Sequence, residues 1–331
     1  MDPIAHTLVG ASMAETGLKK YSPLATPTLI LGANLPDVDG LAMLMGSDTA
    51  LWFRRGWTHG ILAAVVLPAL LAGIVLAYDK LWRQKGDGEH PAARAGPIIA
   101  LSYASFLTHP FLDWLNTYGV RLLMPFDQTW FYGDSLFIID PWMWLLAGSA
   151  VVLARSNSKL SISAWVVLCA ASSALVLGYP EAAMGVKIGW LIGVSAIIAM
   201  RLSGWFERRS TAVAQTSLAI LLGYIAAMMT GTALAQGLAS AKAGADSPER
   251  AFVSPVPGNP FEREGIVRVD ETYVPFHLDW LADSPYRQTG DSVPVPGEHG
   301  PIVEAALDAP HVRGFTHWAR YPTYEVREKA S

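Results

Sequence analysis

Four long runs without a charged side chain are the feature that most constrains how this chain can fold. No Asp, Glu, Lys or Arg occurs in residues 60–78, 95–112, 160–180 and 210–241. At about 1.5 Å per residue, helices of such length cross the hydrocarbon core of a bilayer. Charged residues make up only 16% of the chain, whereas a soluble domain carries roughly 25%. The pattern predicts a multi-pass membrane protein and excludes an ordinary soluble enzyme and a disordered chain.

Hydropathy gives an all-α polytopic fold with about six transmembrane helices. An amphipathic stretch, Pro3–Leu18, precedes the first of them, and it is followed by an apolar stretch, Leu24–Met45. Asp37 and Asp39 lie inside this second stretch, so we expect a re-entrant or interfacial segment that lines a polar cavity. The predicted membrane helices are 60–79, 97–116, 136–154, 161–179, 186–201 and 212–236.

The composition changes near residue 241 and divides the chain into two predicted domains. Residues 1–241 form the membrane domain. Residues 242–331 are rich in Pro, Gly and charged side chains, and they contain short β-type runs at 265–269 and 271–274. We expect a small strand-containing extramembrane domain there.

The loop charges predict an orientation in the cytoplasmic membrane. Basic residues are concentrated in the 80–96 and 155–160 loops and after residue 200, which marks these segments as cytoplasmic. The N-terminal region and the C-terminal domain then face the outer, periplasmic side.

Residues 1–15 lack the basic start of a cleavable signal peptide, so we expect Met1 to be retained. The net charge of −4 points to no polyanionic partner, so nucleic acid is not expected, and the apolar runs make the lipid bilayer the expected partner.

The first polar cluster is the segment from Asp2 to Gly10, whose candidate functional residue is His6, close to the start of a predicted helix. Asp2 is a typical helix cap and Pro3 suits the first turn. His6 and Gly10 share a face at four-residue spacing, and the glycine would let another segment approach the histidine. A histidine in this position is also common as an ordinary structural residue.

The second cluster joins Asp37 and Asp39 to Arg54, Arg55 and His59. The proline at position 36 favours extended geometry before it, which would point both carboxylates to one side. Two carboxylates in one small space are normally held by a divalent cation or by an arginine. The spacing leaves both open, and ion pairs with the two arginines are the simpler alternative.

The third cluster is His109 and Asp113, which lie one helical turn apart near the end of a predicted membrane helix. Together they can bind one ion, or act as a ligand and the group that orients it. A satisfied pair that only fixes helix packing is the alternative. Pro110 predicts a kink or a break in the helix beside them.

The three clusters together predict a site for a divalent metal. Mixed imidazole and carboxylate ligands suit Zn²⁺ best, with Mn²⁺ or Fe²⁺ as alternatives, and suit Ca²⁺ less. Six ligands exceed what one tetrahedral zinc requires, so either two metals bind or some members orient ligands and move protons. The predicted ligands are His6, Asp37, Asp39, His59, His109 and Asp113.

These motifs resemble the bacterial membrane-bound metal-dependent hydrolases called YdjM-like, inner-membrane proteins of which some are regulated by LexA. The resemblance rests on residues 1–10, Asn34-Leu-Pro-Asp-Val-Asp, Arg55-Gly-Trp-Thr-His and the run from His109 to Phe126. It extends to Phe137-Ile-Ile-Asp-Pro and, more loosely, to Ser254-Pro-Val-Pro-Gly-Asn-Pro-Phe and His317-Trp-Ala-Arg-Tyr-Pro. It implies metal binding, hydrolysis and a membrane location.

Two positions depart from the family pattern. Members often read His-Arg-Gly-x-Thr-His-Ser, whereas this chain has Arg54 in place of the first histidine and Gly60 in place of the serine. A fixed cation at Arg54 would weaken a second metal nearby, and it would suit an anionic, phosphate-bearing substrate.

The leading functional hypothesis is a membrane-embedded metal-dependent hydrolase, in which metal-activated water attacks an ester or phosphoester of a lipid or lipid-linked substrate. Asp39 or Asp113 would take the proton, and Arg54 or Arg55 would stabilise the developing anion. One alternative is a non-enzymatic scaffold or binding protein with a structural metal or a His–Asp network. An ion transporter is the third possibility, and the scarcity of ionisable residues in the later helices speaks against it.

Overall fold

The computed structural model of the protein describes residues 1–86, 90–204, 206, 209–246, 251–297 and 300–326, and they are mostly helical. Besides the α-helices, the described residues contain 3-10 helices at Leu18–Tyr21, Leu35–Met45 and Arg83–Lys85. The α-helices are α1 (Pro3–Glu15), α2 (Ala25–Asn34), α3 (Ser47–Phe53), α4 (Ile61–Leu81), α5 (Ala95–Trp114), α6 (Pro141–Arg155), α7 (Lys159–Gly178), α8 (Met184–Ser203), α9 (Ser210–Ala243), α10 (Pro301–Leu307) and α11 (Pro310–Trp318).

Four helices in the described part of the chain are long and apolar enough to cross a membrane, namely α4, α7, α8 and α9. Only 6% of the apolar window of α7 and 11% of that of α8 are buried inside the protein. The rest of their apolar surface is therefore left for lipid. These helices confirm a membrane protein with several transmembrane helices.

The count of six membrane helices is not confirmed, and the two remaining predicted helices show why. Helix α5 forms where it was predicted, but the buried Ser102, Ser105, His109 and Asp113 make it less apolar than the others. Helix α6 begins at Pro141 and not near residue 136, because the Asp140 carboxylate caps it. Only 15 residues then remain in α6.

The N-terminal helix forms and packs as the sequence predicts. Asp2 Oδ1 accepts hydrogen bonds from the backbone N–H groups of Ile4 and Ala5, both at 3.0 Å. Helix α2 passes directly over Gly10, where a Cβ atom would lie 2.6 Å from the carbonyl oxygen of Leu29. The glycine therefore permits the close approach that brings α2 beside His6.

The extended geometry expected around Pro36 is wrong. The segment around Pro36 is not extended but forms the 3-10 helix Leu35–Met45, in which Leu35 has φ −58° and ψ −39°. Pro36 lies in the first turn, where its missing N–H leaves no helical hydrogen bond unmade. Pro110, for which a kink or a break was predicted, does not break α5, which continues to Trp114. The kink stays a prediction.

The C-terminal region contains a small antiparallel sheet, as predicted. Its strands are ordered β1-β2-β3-β4, with β5 paired to β3. Ala235 and Ala239 near the end of α9 pack against the buried face of the sheet. The boundary between two domains at residue 241 stays a prediction. The strands are β1 (Ala251–Pro255), β2 (Glu262–Val269), β3 (Thr272–Asp279), β4 (Tyr286–Gln288) and β5 (Val293–Pro294).

The chain after the sheet returns to the first half of the protein. Helix α11 packs against α3. The indole N–H of Trp318 donates a hydrogen bond of 2.9 Å to the carbonyl oxygen of Tyr118. Arg320 Nη1 contacts both carboxylate oxygens of Asp134 at 2.8 Å. The C-terminal segment thus covers the loop that follows α5.

Candidate metal centre

The three polar clusters of the sequence meet around Asp113. Helix α5 supplies His109 and Asp113 one turn apart, α1 supplies His6, and the turn before α4 supplies His59. The 3-10 helix Leu35–Met45 brings Asp37 and Asp39. The three histidines and Asp113 are buried, with at most 1% of each residue exposed.

Each carboxylate oxygen of Asp113 has its own set of neighbours. Oδ1 lies 3.1 Å from Arg55 Nη2 and 3.3 Å from His6 Nε2, and it also contacts the α-amino group of Met1. Oδ2 lies 3.1 Å from His59 Nε2 and 3.4 Å from His109 Nε2. The Oδ1 side is therefore compensated by cations, whereas the Oδ2 side faces two imidazoles.

The hydrogen bonds of the other ring nitrogens define the tautomers of these two imidazoles. His109 Nδ1 donates to the carbonyl oxygen of Ala33 at 2.6 Å. His59 Nδ1 lies 2.9 Å from the hydroxyl of Thr58 and 3.3 Å from Asp39 Oδ2. In the neutral rings the Nε2 atoms then carry lone pairs that point at an anionic oxygen. Such contacts between acceptors require a proton or a metal ion between them.

The donor set fits one divalent metal ion. Asp37, His59, His109 and Asp113 each offer a ligand atom, and all four atoms lie within 4.8 Å of one another. Zn–N and Zn–O bonds of about 2.0–2.2 Å place tetrahedral ligand atoms about 3.3 Å apart. The distances from His109 Nε2 are close to that value, at 3.4 Å to Asp113 Oδ2 and 3.7 Å to Asp37 Oδ1. His109 Nε2 and Asp37 Oδ2 are also buried without a hydrogen-bond partner in the described residues.

Asp39 contacts the Nδ1 side of His59 and is not one of these four candidate ligands. Its Oδ2 atom accepts from the backbone N–H of Arg55 at 2.8 Å and from the Thr58 hydroxyl at 3.0 Å. Burial alone would raise the pKa of Asp39, but the hydrogen bonds from His59, Arg55 and Thr58 hold it below its usual value. The same carboxylate, together with Asp113, raises the pKa of His59 against the effect of burial. Asp39 therefore orients the imidazole of His59.

The two arginines have different environments. Arg54 lies between the carboxylates of Asp37 and Asp39, 3.7 Å from Oδ1 of each. The ion pairs between an arginine and these two carboxylates, which the sequence left open as the alternative to a metal, are therefore present. Arg55 is buried with 4% exposed, and its Nη1 donates to Asn116 Oδ1 at 2.9 Å. Of the two, only Arg54 retains a partly exposed side chain that can meet a substrate.

His6 lies against the four-residue cluster. Its ring stacks on that of His109, with centroids 3.7 Å apart and an interplanar angle of 14°. Burial and the neighbouring His109 lower the pKa of His6 to about 3, so the ring is neutral at physiological pH. Its Nδ1 atom is buried and lacks a partner in the described residues. His6 is therefore available as a further ligand or as a group that orients Asp113.

The structure adds residues that the sequence reasoning did not single out. Thr58 and Asn116 bind Asp39 and Arg55, and the ring of Tyr118 lies 4.6 Å from the guanidinium of Arg55. All three belong to the motifs that carried the family resemblance, which is the signal that could have identified them. The carbonyl of Ala33, in contrast, belongs to an apolar helix and has no side-chain signal.

Gly60, the departure from a serine, has a steric reason in this chain. A Cβ atom at this position would lie 2.5 Å from the carbonyl oxygen of Met124. The loop after α5 therefore packs directly on the backbone beside His59, and a serine would displace it.

Comparisons with known proteins agree with the location of this cluster. A sequence model described as YdjM inner membrane protein matches residues 1–183, which contain all six predicted ligands. The Bacillus subtilis (strain 168) protein described as uncharacterized protein YfhP is 21% identical over 181 residues, which cover 51% of each chain. The chain thus spans about half the length of this curated relative. No solved structure matches.

Proposed function

The chain belongs to the YdjM inner membrane protein family, and on this basis we propose that it is a metal-dependent hydrolase embedded in the inner membrane. One observation carries the proposal. The Nε2 atoms of His59 and His109 both face Asp113 Oδ2, at 3.1 and 3.4 Å, while their Nδ1 atoms are engaged elsewhere. A single divalent ion satisfies all three atoms, which two bare acceptor contacts cannot do.

The proposed ligands are Asp37, His59, His109 and Asp113, with His6 as a further candidate. Zn²⁺ suits two imidazoles and two carboxylates, and Mn²⁺ or Fe²⁺ are alternatives. When bound, such an ion supplies Lewis acidity that activates water as a nucleophile near neutral pH.

The residues around the ligands would position the substrate and move the proton. Asp39, whose lowered pKa keeps it ionised, holds His59 and is the proposed proton acceptor. Arg54 lies beside both carboxylates of the 3-10 helix and is the proposed contact for the developing anion. Both roles rest on side chains within 4 Å of the cluster.

An ester or phosphoester of a lipid is the proposed substrate class. The 3-10 helix that carries Asp37 and Asp39 exposes Leu44 and Met45, with 85% and 74% of their surface accessible. Large apolar side chains so exposed favour contact with a bilayer. A site beside such a surface meets lipid head groups first.

The finer topology is also a proposal. We propose that α5 and α6 cross the membrane together with α4, α7, α8 and α9, and that the cluster and the C-terminal sheet face the periplasm. The basic loops before α5, before α7 and after α8 support this orientation. An impermeant thiol reagent should label an Asp283→Cys variant in intact cells, in a Cys169→Ser background. Labelling only after the cells are broken would place the sheet on the inner side.

Metal analysis of the detergent-purified protein tests the proposal. We expect about one equivalent of zinc, manganese or iron, and its loss in His109→Ala and Asp37→Asn. His90→Ala, which removes an exposed histidine outside the cluster, should retain the metal. Metal-loaded protein should then hydrolyse a chromogenic phosphoester, and the two site variants should not. Failure to bind any of these ions, with each supplied in turn, would contradict the proposal.

A His–Asp network without a metal is the second candidate. The observation in its favour is that Arg55 and the Met1 amino group already compensate Asp113 on its Oδ1 side. In that case His59 carries the proton between Nε2 and Asp113, and the site variants lose stability without any loss of metal.

A further inference from the structure

A groove bounded by α6, α7 and α8 lies apart from the metal centre. Its volume is about 890 Å³, and its lining is almost entirely apolar. This size falls within the range of about 300–1,000 Å³ that is typical of small-molecule pockets. A second cavity of about 550 Å³ shares Trp165 and Leu168 with the groove and adds the polar residues Arg155, Asn157 and Ser161. The apolar groove therefore continues into a polar mouth.

Helix α1 separates this groove from the metal centre. Ile4 and Leu8 line the groove, whereas His6 between them contacts Asp113. Residues two positions apart point to nearly opposite sides of a helix. The groove thus shares no residue with the proposed catalytic cluster, and an inference about it does not depend on the hydrolase proposal.

The mouth of the groove carries a net positive charge. Arg201 lines the groove and donates to the carbonyl oxygen of Ser156 at 2.8 Å. Arg155 Nε lies 3.1 Å from Glu15, which also binds Lys19. Arg155 and Lys19 thus share the one carboxylate of Glu15, and Arg201 adds a further positive charge at the groove, an arrangement that favours an anionic group.

Trp165 provides a second and independent sign of a ligand. Its side chain lies where the two cavities meet. The indole Nε1 atom is buried and has no hydrogen-bond partner in the described residues. A buried N–H without an acceptor is costly, and an ester or phosphate oxygen of a bound molecule would satisfy it.

We propose that this groove binds an anionic glycerophospholipid. An acyl chain fills the apolar groove, an ester oxygen accepts from Trp165 Nε1, and the phosphate lies between Arg155 and Arg201. The apolar lining, the unpaired donor and the cationic mouth occur in the order in which such a lipid presents its chain, ester and phosphate.

Lipid competition tests the head group. The full chain is purified in detergent, exposed to an equimolar mixture of phosphatidylglycerol and phosphatidylcholine, and examined by native mass spectrometry. We expect the wild type to retain phosphatidylglycerol preferentially. Arg155→Gln and Arg201→Gln should each reduce the preference about fivefold, because a basic residue near a lipid surface contributes about 1 kcal/mol. Lys80→Gln, an exposed cation at the end of α4, should leave it unchanged.

A second pair of variants tests the groove itself. Ala171 lines the groove and Val167 on the same helix does not. Ala171→Trp should abolish retention of the lipid, while Val167→Trp should leave it intact. Equal retention of the two lipids by the wild type, or an unchanged preference in the arginine variants, would overturn the proposal. Retention that survives Ala171→Trp would overturn it as well.

Discussion

Asp39→Asn tests the proposed role of a carboxylate that would support the metal centre without belonging to its ligands. Asp39 Oδ2 has three neighbours, the backbone N–H of Arg55 at 2.8 Å, the Thr58 hydroxyl at 3.0 Å and His59 Nδ1 at 3.3 Å. Asparagine keeps the shape and one acceptor oxygen but removes the charge. The backbone contact survives, while the charge-assisted contact with His59 becomes a neutral one.

The expected effect follows from what such supporting groups contribute. Loss of a carboxylate that orients a metal-bound histidine typically costs 10–100-fold in metal affinity, which corresponds to about 1.4–2.7 kcal/mol. We expect Asp39→Asn to weaken zinc binding by this amount. Asp37→Asn removes a proposed ligand and should weaken it further. Thr58→Val, which removes only a neutral partner of Asp39, should have a smaller effect than either.

Competition between the protein and a chromophoric chelator in detergent measures these affinities. Thermal unfolding of the metal-free variants reports separately whether the fold is retained. Unchanged zinc affinity in a folded Asp39→Asn protein would show that Asp39 does not orient His59. A loss larger than that of Asp37→Asn would show that Asp39 is itself a ligand.

Two further predictions concern the scaffold. Gly10→Ala places a Cβ atom 2.6 Å from the carbonyl oxygen of Leu29, so it should destabilise the fold by about 1–3 kcal/mol and lower the midpoint of thermal unfolding. The control Gly73→Ala has no atom within 4 Å of its Cβ and should leave the midpoint unchanged. Equal midpoints for the two variants would refute the close packing of α1 and α2. Burial raises the pKa of Asp134 to about 6 in spite of its ion pair with Arg320. Between about pH 4 and pH 6 the folded state therefore binds a proton that the unfolded chain releases. The stability that this proton contributes is present below about pH 4 and is lost as the pH rises to about 6. The slope of the unfolding midpoint over this interval should decrease in Asp134→Asn, and an unchanged slope would assign it to another group.

Local features of the site could be predicted from the sequence because they depend on short-range geometry. The Asp2 cap of α1 and the shared face of His109 and Asp113 both follow from helical spacing. The arginine between the two carboxylates was foreseen as an alternative from charge alone, and Arg54 occupies that position.

Long-range features could not be predicted because they depend on how the helices pack. His6 and Asp113 are 107 positions apart. They meet because α1 and α5 both pack against α2, which Gly10 allows to approach α1 closely. The carbonyl of Ala33 that defines the tautomer of His109 has no signature in the sequence. Pro36 predicted extended backbone, but the start of a helix tolerates proline equally well. Only the packing of the chain decides between these conformations.

The C-terminal segment and the proposed metal ligands come from different parts of the chain. The proposed ligands all lie within the region that matches the family, residues 1–183. Trp318 and Arg320, which lie on the loop after α5, come from outside that region. Substitutions in the tail would therefore change the surroundings of Tyr118 and leave the proposed metal ligands untouched. In the proposed hydrolase, selectivity for a substrate could then diversify while the reaction stays the same.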